Sequence, residues 1–201
     1  MLQHIRPALV LLVLFSALTG LVYPLVVTGI AQVAMPAQAN GSLIHKDGVV
    51  VGSALIGQSF KSDRYFHPRP SATTDADPND STKTIDAPYN ASNSSASNLG
   101  PTSQKLVDRV KGAVGDFRAK FGSGPVPADA VTTSASGLDP DISPANALAQ
   151  VSSVAKARNL DEAKVRALVE ASIERPAFGW LGEPRVNVLQ LNLALDQLKS
   201  S

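Results

Sequence analysis

The longest apolar stretch of the chain runs from Ala8 to Met35 and contains no Asp, Glu, Lys or Arg. A bilayer core requires about 20 mostly apolar residues in a helix, because an unpaired backbone amide in hydrocarbon is costly. The pattern therefore predicts a transmembrane anchor helix over residues 8–35. A cleaved signal peptide is the alternative, since Ala37-Gln38-Ala39 has the small-x-small form that a signal peptidase recognises. Its apolar region would span only about 7–15 residues, however, and this stretch is longer.

Beyond the anchor, the apolar residues follow two patterns, one typical of strands and the other typical of helices. Asp47-Gly48 lies between the apolar runs 43–44 and 49–51, which is a strong signal for a β-hairpin. Residues 54–56 are expected to extend that sheet, and residues 130–132 are expected to form a short strand.

Four later segments have apolar residues three and four positions apart, which indicates amphipathic helices. Each follows a residue that commonly caps a helix amino terminus: Thr102 or Ser103, then Ser143, Asp161 and Asn187. Gly122, Asn159 and Pro176 are expected to end the first three. The prediction is an α+β protein, with one N-terminal transmembrane helix and one soluble domain (36–201) containing a small hairpin or sheet and about four helices.

Two further segments show neither the strand pattern nor the helix pattern. Residues 71–101 are rich in Ser, Asn, Asp and Thr and are predicted to be a long polar loop. Asp75, Asp77 and Asn79 are spaced like the first ligands of a calcium loop, but Asp80 occupies the position that requires glycine, so no metal site is predicted. Residues 176–185 are expected to form a tight loop that packs Trp180 against the core.

The charges that flank the apolar stretch predict its orientation. The amino terminus and Arg6 precede it, and the first basic residue after it is Lys46. Positive flanks stay in the cytoplasm. We therefore expect residues 1–7 in the cytoplasm of a bacterium and the soluble domain on the periplasmic or extracellular side of the inner (cell) membrane.

Two groups of residues are candidates for contacts with a partner protein. Ser16 and Gly20 are small and share one side of the predicted helix, where a second helix could approach closely; ordinary membrane-helix composition is the alternative. Tyr65, Phe66 and Arg69 lie in an irregular, proline-containing segment and are of types that anchor interfaces. In the alternative interpretation, the aromatic residues fill the core and the arginine pairs locally.

Composition excludes several classes of function. The net charge is +1, which provides no strong field for nucleic acid, and the absence of cysteine excludes thiolate metal sites and cysteine nucleophiles. Phosphate-loop, dinucleotide-binding, zinc-protease and serine-hydrolase motifs are all missing. No catalytic residue is predicted, although an exported hydrolase acting through His67 remains an alternative.

Five blocks of sequence together resemble a known family, the C subunit of the Kdp high-affinity potassium-transporting ATPase. They occur in the family's order along nearly the whole chain: GSALIGQSF (52–60), YFHPRPSA (65–72), YNASNSSASNLGP (89–101), SASGLDPDISP (134–144) and WLGEPRVNVLQLN (180–192). The resemblance implies a non-catalytic accessory subunit of a bacterial potassium pump. Its partners would be a channel-like potassium-translocating subunit and a P-type ATPase subunit.

The resemblance also implies a role as a catalytic chaperone that raises the ATP affinity of the ATPase subunit. ATP and K⁺ would then be bound by the complex and not by this chain alone. Within the soluble domain, Gln150 is the candidate nucleotide contact, although the predicted orientation places it on the side opposite to ATP. A second hypothesis has the domain cap the outer mouth of the channel-like subunit. An exported, membrane-anchored binding domain or hydrolase without a pump partner is the alternative.

Overall fold

In the computed structural model, which describes residues 2–198, the apolar stretch forms one long helix with a wide turn in its middle. It consists of α1 (Leu2–Ala17), a π-helical turn (Leu18–Val22) and α2 (Tyr23–Ala34). Pro24 has no N–H to donate to the carbonyl four residues earlier, and its ring crowds that carbonyl, which explains the wide turn just before it. Within the helix Gln3–Ala34, an 18-residue window has a mean hydropathy of 2.4, and the helix is long and apolar enough to cross a membrane.

A short helix, α3 (Pro36–Ala39), leads into the predicted hairpin. Strands β1 (Leu43–Lys46) and β2 (Val49–Ser53) pair antiparallel. Asp47 and Gly48 both have positive φ, 52° and 78°, as a two-residue hairpin turn requires. The hairpin prediction is confirmed. The predicted extension is wrong, because the chain turns at residues 54–55 and the sheet ends at Ser53.

The chain divides into two compact units, one ending at Ser53 and one beginning at Ala54. We call residues 54–198 the head domain. Its elements, in order, are β3 (Thr74–Asp77), β4 (Asp80–Asp86), α4 (Gln104–Phe121), α5 (Ala128–Val131), β5 (Asp141–Ile142), α6 (Pro144–Arg158), α7 (Glu162–Ala171), β6 (Val186–Asn187) and α8 (Val188–Gln197). β3 pairs with β4 and β5 with β6, both antiparallel. The α+β prediction is confirmed.

The predicted caps position the helices of the head domain. Side-chain oxygens of Ser143, Asp161 and Asn187 accept hydrogen bonds from backbone N–H groups in the first turns of α6, α7 and α8. Asn159 ends α6 in the left-handed conformation, with φ of 56°. Their apolar faces meet in one core, whose fully buried members include Val151, Val154, Val165, Val169, Leu191 and Leu195.

The predicted polar loop at 71–101 is wrong in part, because residues 74–86 form a hairpin. Thr74 pairs with Asp86 and Ala76 with Thr84 across β3 and β4. Neither face of this hairpin is buried, so its strands carry no apolar alternation that could have indicated them. Asn93 donates to the carbonyl of Thr74 at 2.9 Å and ties the polar segment that follows to the hairpin.

Two other local predictions are wrong. Residues 128–131 form a helical turn, α5, in place of a strand; only Val131 in that turn is buried, and a single buried residue has no period. Trp180 does not pack against the core, because its side chain is 76% exposed.

Candidate functional site

Three of the residues singled out from the sequence, Tyr65, Phe66 and Arg69, lie in one segment that is held between α6 and α8. Asn192 on α8 binds both backbone polar groups of Phe66. Its Oδ1 accepts from the N–H at 2.8 Å, and its Nδ2 donates to the carbonyl at 3.0 Å. Both residues are buried, and the Phe66 side chain is 0% exposed. Phe66 is therefore a core residue with no surface to offer a partner.

Gln150 on α6 binds the next residue in the same way. Its Oε1 accepts from the N–H of His67 at 2.7 Å, and its Nε2 donates to the carbonyl of His67 at 3.1 Å and to Oδ1 of Asn146 at 2.9 Å. The side chain is 1% exposed. The proposed nucleotide contact is thus a buried amide whose polar atoms already have partners, and the structure leaves no exposed atom of it for a nucleotide.

Together these two amides form what we call the amide clamp, Gln150 and Asn192 on either side of Phe66-His67. Each supplies one donor and one acceptor to an extended backbone, as a neighbouring β-strand would. Prolines follow at 68 and 70 and favour extended backbone in the residues before them. The clamp therefore satisfies backbone groups that would be costly to leave unpaired inside the fold.

Tyr65 lies at the edge of the clamped segment and is paired locally. Its hydroxyl donates to Asp196 at 3.3 Å, and Arg158 binds the same carboxylate at 2.9 Å. The guanidinium of Arg158 also lies 5.5 Å from the centre of the Tyr65 ring. Tyr65 thus links the segment to α6 and α8, in agreement with the alternative interpretation of this cluster.

Arg69 at the other end is engaged as well. Its Nη1 binds Asp139 at 2.7 Å, and the hydroxyl of Tyr89 donates to its carbonyl at 2.9 Å. Burial, together with the Asp139 carboxylate, raises the pKa of Tyr89 well above its usual value. The hydroxyl of Tyr89 therefore remains a proton donor at every physiological pH.

His67 lies in a polar corner beside the end of α4. Lys120 donates to its Nε2 at 2.9 Å and also pairs with Asp63, and the His67 ring packs 6.0 Å from that of Phe121. Burial and the charge of Lys120 lower the pKa of His67 below its ordinary value, although hydrogen bonding to the backbone of Phe60 and the charge of Asp63 oppose this. The imidazole is neutral at pH 7 and its Nε2 is occupied by Lys120.

Because the His67 ring is neutral in the fold, we expect the head domain to lose stability as the pH falls below about 6.5, the usual pKa of histidine in an unfolded chain. Because the folded-state pKa of His67 is lower, the unfolded chain binds a proton that the folded chain does not. The contribution is fully present above the unfolded pKa and is lost as the pH falls toward the folded one. Urea unfolding at about pH 7.5 and about pH 5.5 should show a larger acid loss for the natural chain than for His67→Gln. Equal losses in both would contradict the assignment.

The two most exposed large apolar side chains of the head domain, Phe178 and Trp180, lie in a turn from which Trp180 was expected to pack against the core. Ala177 and Leu181 exchange backbone hydrogen bonds at 3.1 and 2.9 Å, and Phe178 and Gly179 form the turn with φ of 54° and 80°. We call residues 177–181 the aromatic turn. Phe178 is 88% exposed, Trp180 76% and Leu181 55%. In the sequence, Gly179 within a short loop was the available signal for this hairpin-like turn.

The two residues expected to contact another membrane helix, Ser16 and Gly20, lie just before and within the π-helical turn of the long helix. Ser16 lies at the end of α1, and Gly20 lies inside the π-helical turn, where an added Cβ would meet nothing within 4 Å. Both are exposed. The surface around Gly20 is therefore open to close approach by another helix, and no part of the described chain fills it.

These features define a class of protein in which one described helix is long and apolar enough to span a membrane and precedes an α+β head domain whose buried amides serve its own fold. A family model described as K⁺-transporting ATPase, c chain (KdpC) matches residues 5–197. The chain belongs to the KdpC family, and as such it is an accessory subunit of a K⁺-transporting ATPase, not the catalytic one.

Curated relatives agree with this assignment over nearly their whole length. The potassium-transporting ATPase KdpC subunit of Bradyrhizobium diazoefficiens is 63% identical over 197 residues, covering 98% of each chain. The KdpC subunit of Methylobacterium nodulans is 61% identical over 98% of each chain. That of Rhodopseudomonas palustris strain BisB18 is 62% identical, over 99% of this chain and 100% of its own.

Proposed function

We propose that this chain assembles and stabilises an ATP-driven, high-affinity potassium uptake pump in the bacterial cell membrane. The observation that carries the proposal is the match of residues 5–197 to the c chain of K⁺-transporting ATPases. Its partners would be the channel-like potassium-translocating subunit and the P-type ATPase subunit, which bind K⁺ and ATP. This chain contributes surfaces, and the chemistry belongs to its partners.

The charge flanks support an orientation in which residues 1–7 are cytoplasmic and the head domain is periplasmic or extracellular. Arg6 precedes the apolar helix and Lys46 is the first basic residue after it. In this orientation the helix packs against the membrane-spanning partners through Ser16 and Gly20. The open space around Gly20 supports that contact, because small residues allow helix backbones to approach in lipid.

The head domain would then reach the outer mouth of the channel-like subunit. The aromatic turn is the surface we assign to this contact, since Trp and Phe are frequent anchors at interfaces and these side chains are not covered by the described chain. The exposed edges of Tyr65 and Arg69 would lie at most at the rim of the contact. Phe66 takes no direct part because it is fully buried.

A chaperone-like effect on ATP affinity fits this arrangement only as an indirect effect. Gln150 is buried in the head domain and its amide is already hydrogen-bonded. We infer that any influence on ATP passes through the subunits that this chain contacts, which it stabilises in the conformation that binds nucleotide.

Changing the aromatic turn tests the docking surface. Truncating an interface anchor costs about 2 kcal/mol or more, so Phe178→Ser combined with Trp180→Ser is expected to reduce recovery of the partner subunits at least about tenfold. The measurement is co-purification of the pump through a tag on this chain. Unfolding of the purified variant should match that of the natural chain, because both side chains are exposed.

Ile85→Ser is the matched control, since it removes another exposed apolar side chain of the same unit, on β4. Recovery equal to that of the natural chain is expected for this control. If the double variant of the aromatic turn also retains full recovery, the partner contact lies elsewhere on the head domain.

A further inference from the structure

A cavity of about 500 Å³ lies beside the first turns of α4, against the polar segments around Ala72, Pro88 and Ser97. Two cationic side chains line it, Lys105 and Arg109, with one carboxylate, Asp86. The charged groups of the lining therefore sum to a net charge of +1. None of these residues belongs to the amide clamp or to the aromatic turn.

Arg109 is the unusual member of this lining. Its Nε is buried and has no hydrogen-bond partner, and no residue from 2 to 198 forms an ion pair with its guanidinium. A buried charged donor without an acceptor is costly, and such groups are rare in native proteins. Asp86 lines the same cavity but is not within ion-pair distance of the Arg109 guanidinium. Arg109 as a whole is half-buried, and the buried Nε–H of its guanidinium lacks an acceptor among residues 2–198.

The start of α4 adds to the positive charge at this place. The helix has no acidic residue in its first turn, and Ser103 caps it without a side-chain hydrogen bond. A helix amino terminus carries about half a positive charge, which favours anions and disfavours cations such as Lys105. Arg109 follows one turn later on the same side of the helix. Three sources of positive charge therefore converge on one cavity.

We propose that this cavity binds a small oxyanion, a phosphate or carboxylate group. Arg109 holds the oxyanion with its guanidinium, which matches the geometry of both groups, and Lys105 supplies a second charge. Ser97 and Thr133 line the same cavity, and a hydroxyl group can donate a further hydrogen bond to an oxyanion. Pro70, Pro88 and Leu99 give part of the wall an apolar character, which suits an organic body attached to the charged group. This site is additional to the role in assembly.

The test uses the full-length chain purified in detergent, titrated with sodium phosphate and, separately, with sodium acetate at constant ionic strength maintained with sodium chloride. Binding is followed by calorimetry. Loss of one charge-assisted contact weakens binding by about tenfold or more, so Arg109→Met is expected to weaken binding by at least that factor. Arg118→Met is the matched control, because Arg118 lies in the last turn of the same helix, is exposed, and does not line the cavity; its affinity should be unchanged.

Lys105→Met keeps the test decisive if Arg109→Met fails to fold, and it should also weaken binding, by several-fold. Binding of both anions, or of phosphate alone or acetate alone, supports the site and identifies the class of group it takes. No binding of either anion up to about 50 mM would overturn the proposal, as would an equal loss in Arg118→Met. None of these readouts depends on partner subunits, so the outcome is separate from that of the assembly experiment.

Discussion

Phe66→Ala is expected to lower the free energy of unfolding of the head domain by about 3–5 kcal/mol, the usual cost of truncating a fully buried phenylalanine. The Phe66 ring is 0% exposed and lies in the same cluster as Val151, Leu191 and Leu195. The measurement is urea unfolding of the full chain in detergent, followed by circular dichroism. The loss should appear in the isolated chain, without any partner present.

Tyr65→Phe is the neighbouring control, since it removes only the hydroxyl that donates to Asp196 at 3.3 Å. It should cost about 1 kcal/mol or less. A Phe66→Ala variant that is as stable as the natural chain but no longer recovers partner subunits would return Phe66 to the role of an interface anchor.

Gln150→Ala is expected to destabilise the head domain by about 2–4 kcal/mol, because it leaves several buried polar groups without partners. These are the N–H and carbonyl of His67 and the side-chain oxygen of Asn146. Less pump should therefore assemble with this variant. In the pump that does assemble, the ATP concentration for half-maximal hydrolysis should be unchanged, because the Gln150 side chain is buried and its amide is already hydrogen-bonded.

The matched control is Gln190→Ala, which removes an exposed glutamine side chain from the first turn of α8. It should alter neither stability nor assembly. A Gln150→Ala chain of normal stability whose pump requires a different ATP concentration would show that Gln150 is a nucleotide contact after all.

Much of the fold could be predicted because its helices bury one face and begin at recognisable caps. The apolar spacing and the caps Ser143, Asp161 and Asn187 correctly located α6, α7 and α8. The β3–β4 hairpin could not be found in this way, since both of its faces are exposed. The alternation of apolar and polar residues that marks a strand arises only where one face of the strand is buried. Trp180 was misassigned for a related reason: large aromatic residues are usually buried, and this one is exposed.

The candidate site was predictable as a segment but not as an arrangement. The sequence shows a cluster of aromatic and charged residues at 64–72, but nothing local indicates whether they face inward. That depends on Gln150 and Asn192, which are 83 and 126 positions away from the residues they bind. A buried amide has no periodic or compositional signal, so its role became evident only from its contacts. Likewise, the missing acceptor at Arg109 is a property of three-dimensional packing.

The amide clamp also sets the order in which the chain can be completed. Asn192 leaves the ribosome 126 residues after Phe66, whose backbone it holds. Contacts between distant positions form late, because the loop between them must close first. A nascent head domain thus stays incomplete until residue 192 has been made, and a chain that ends before it lacks the means to close the domain.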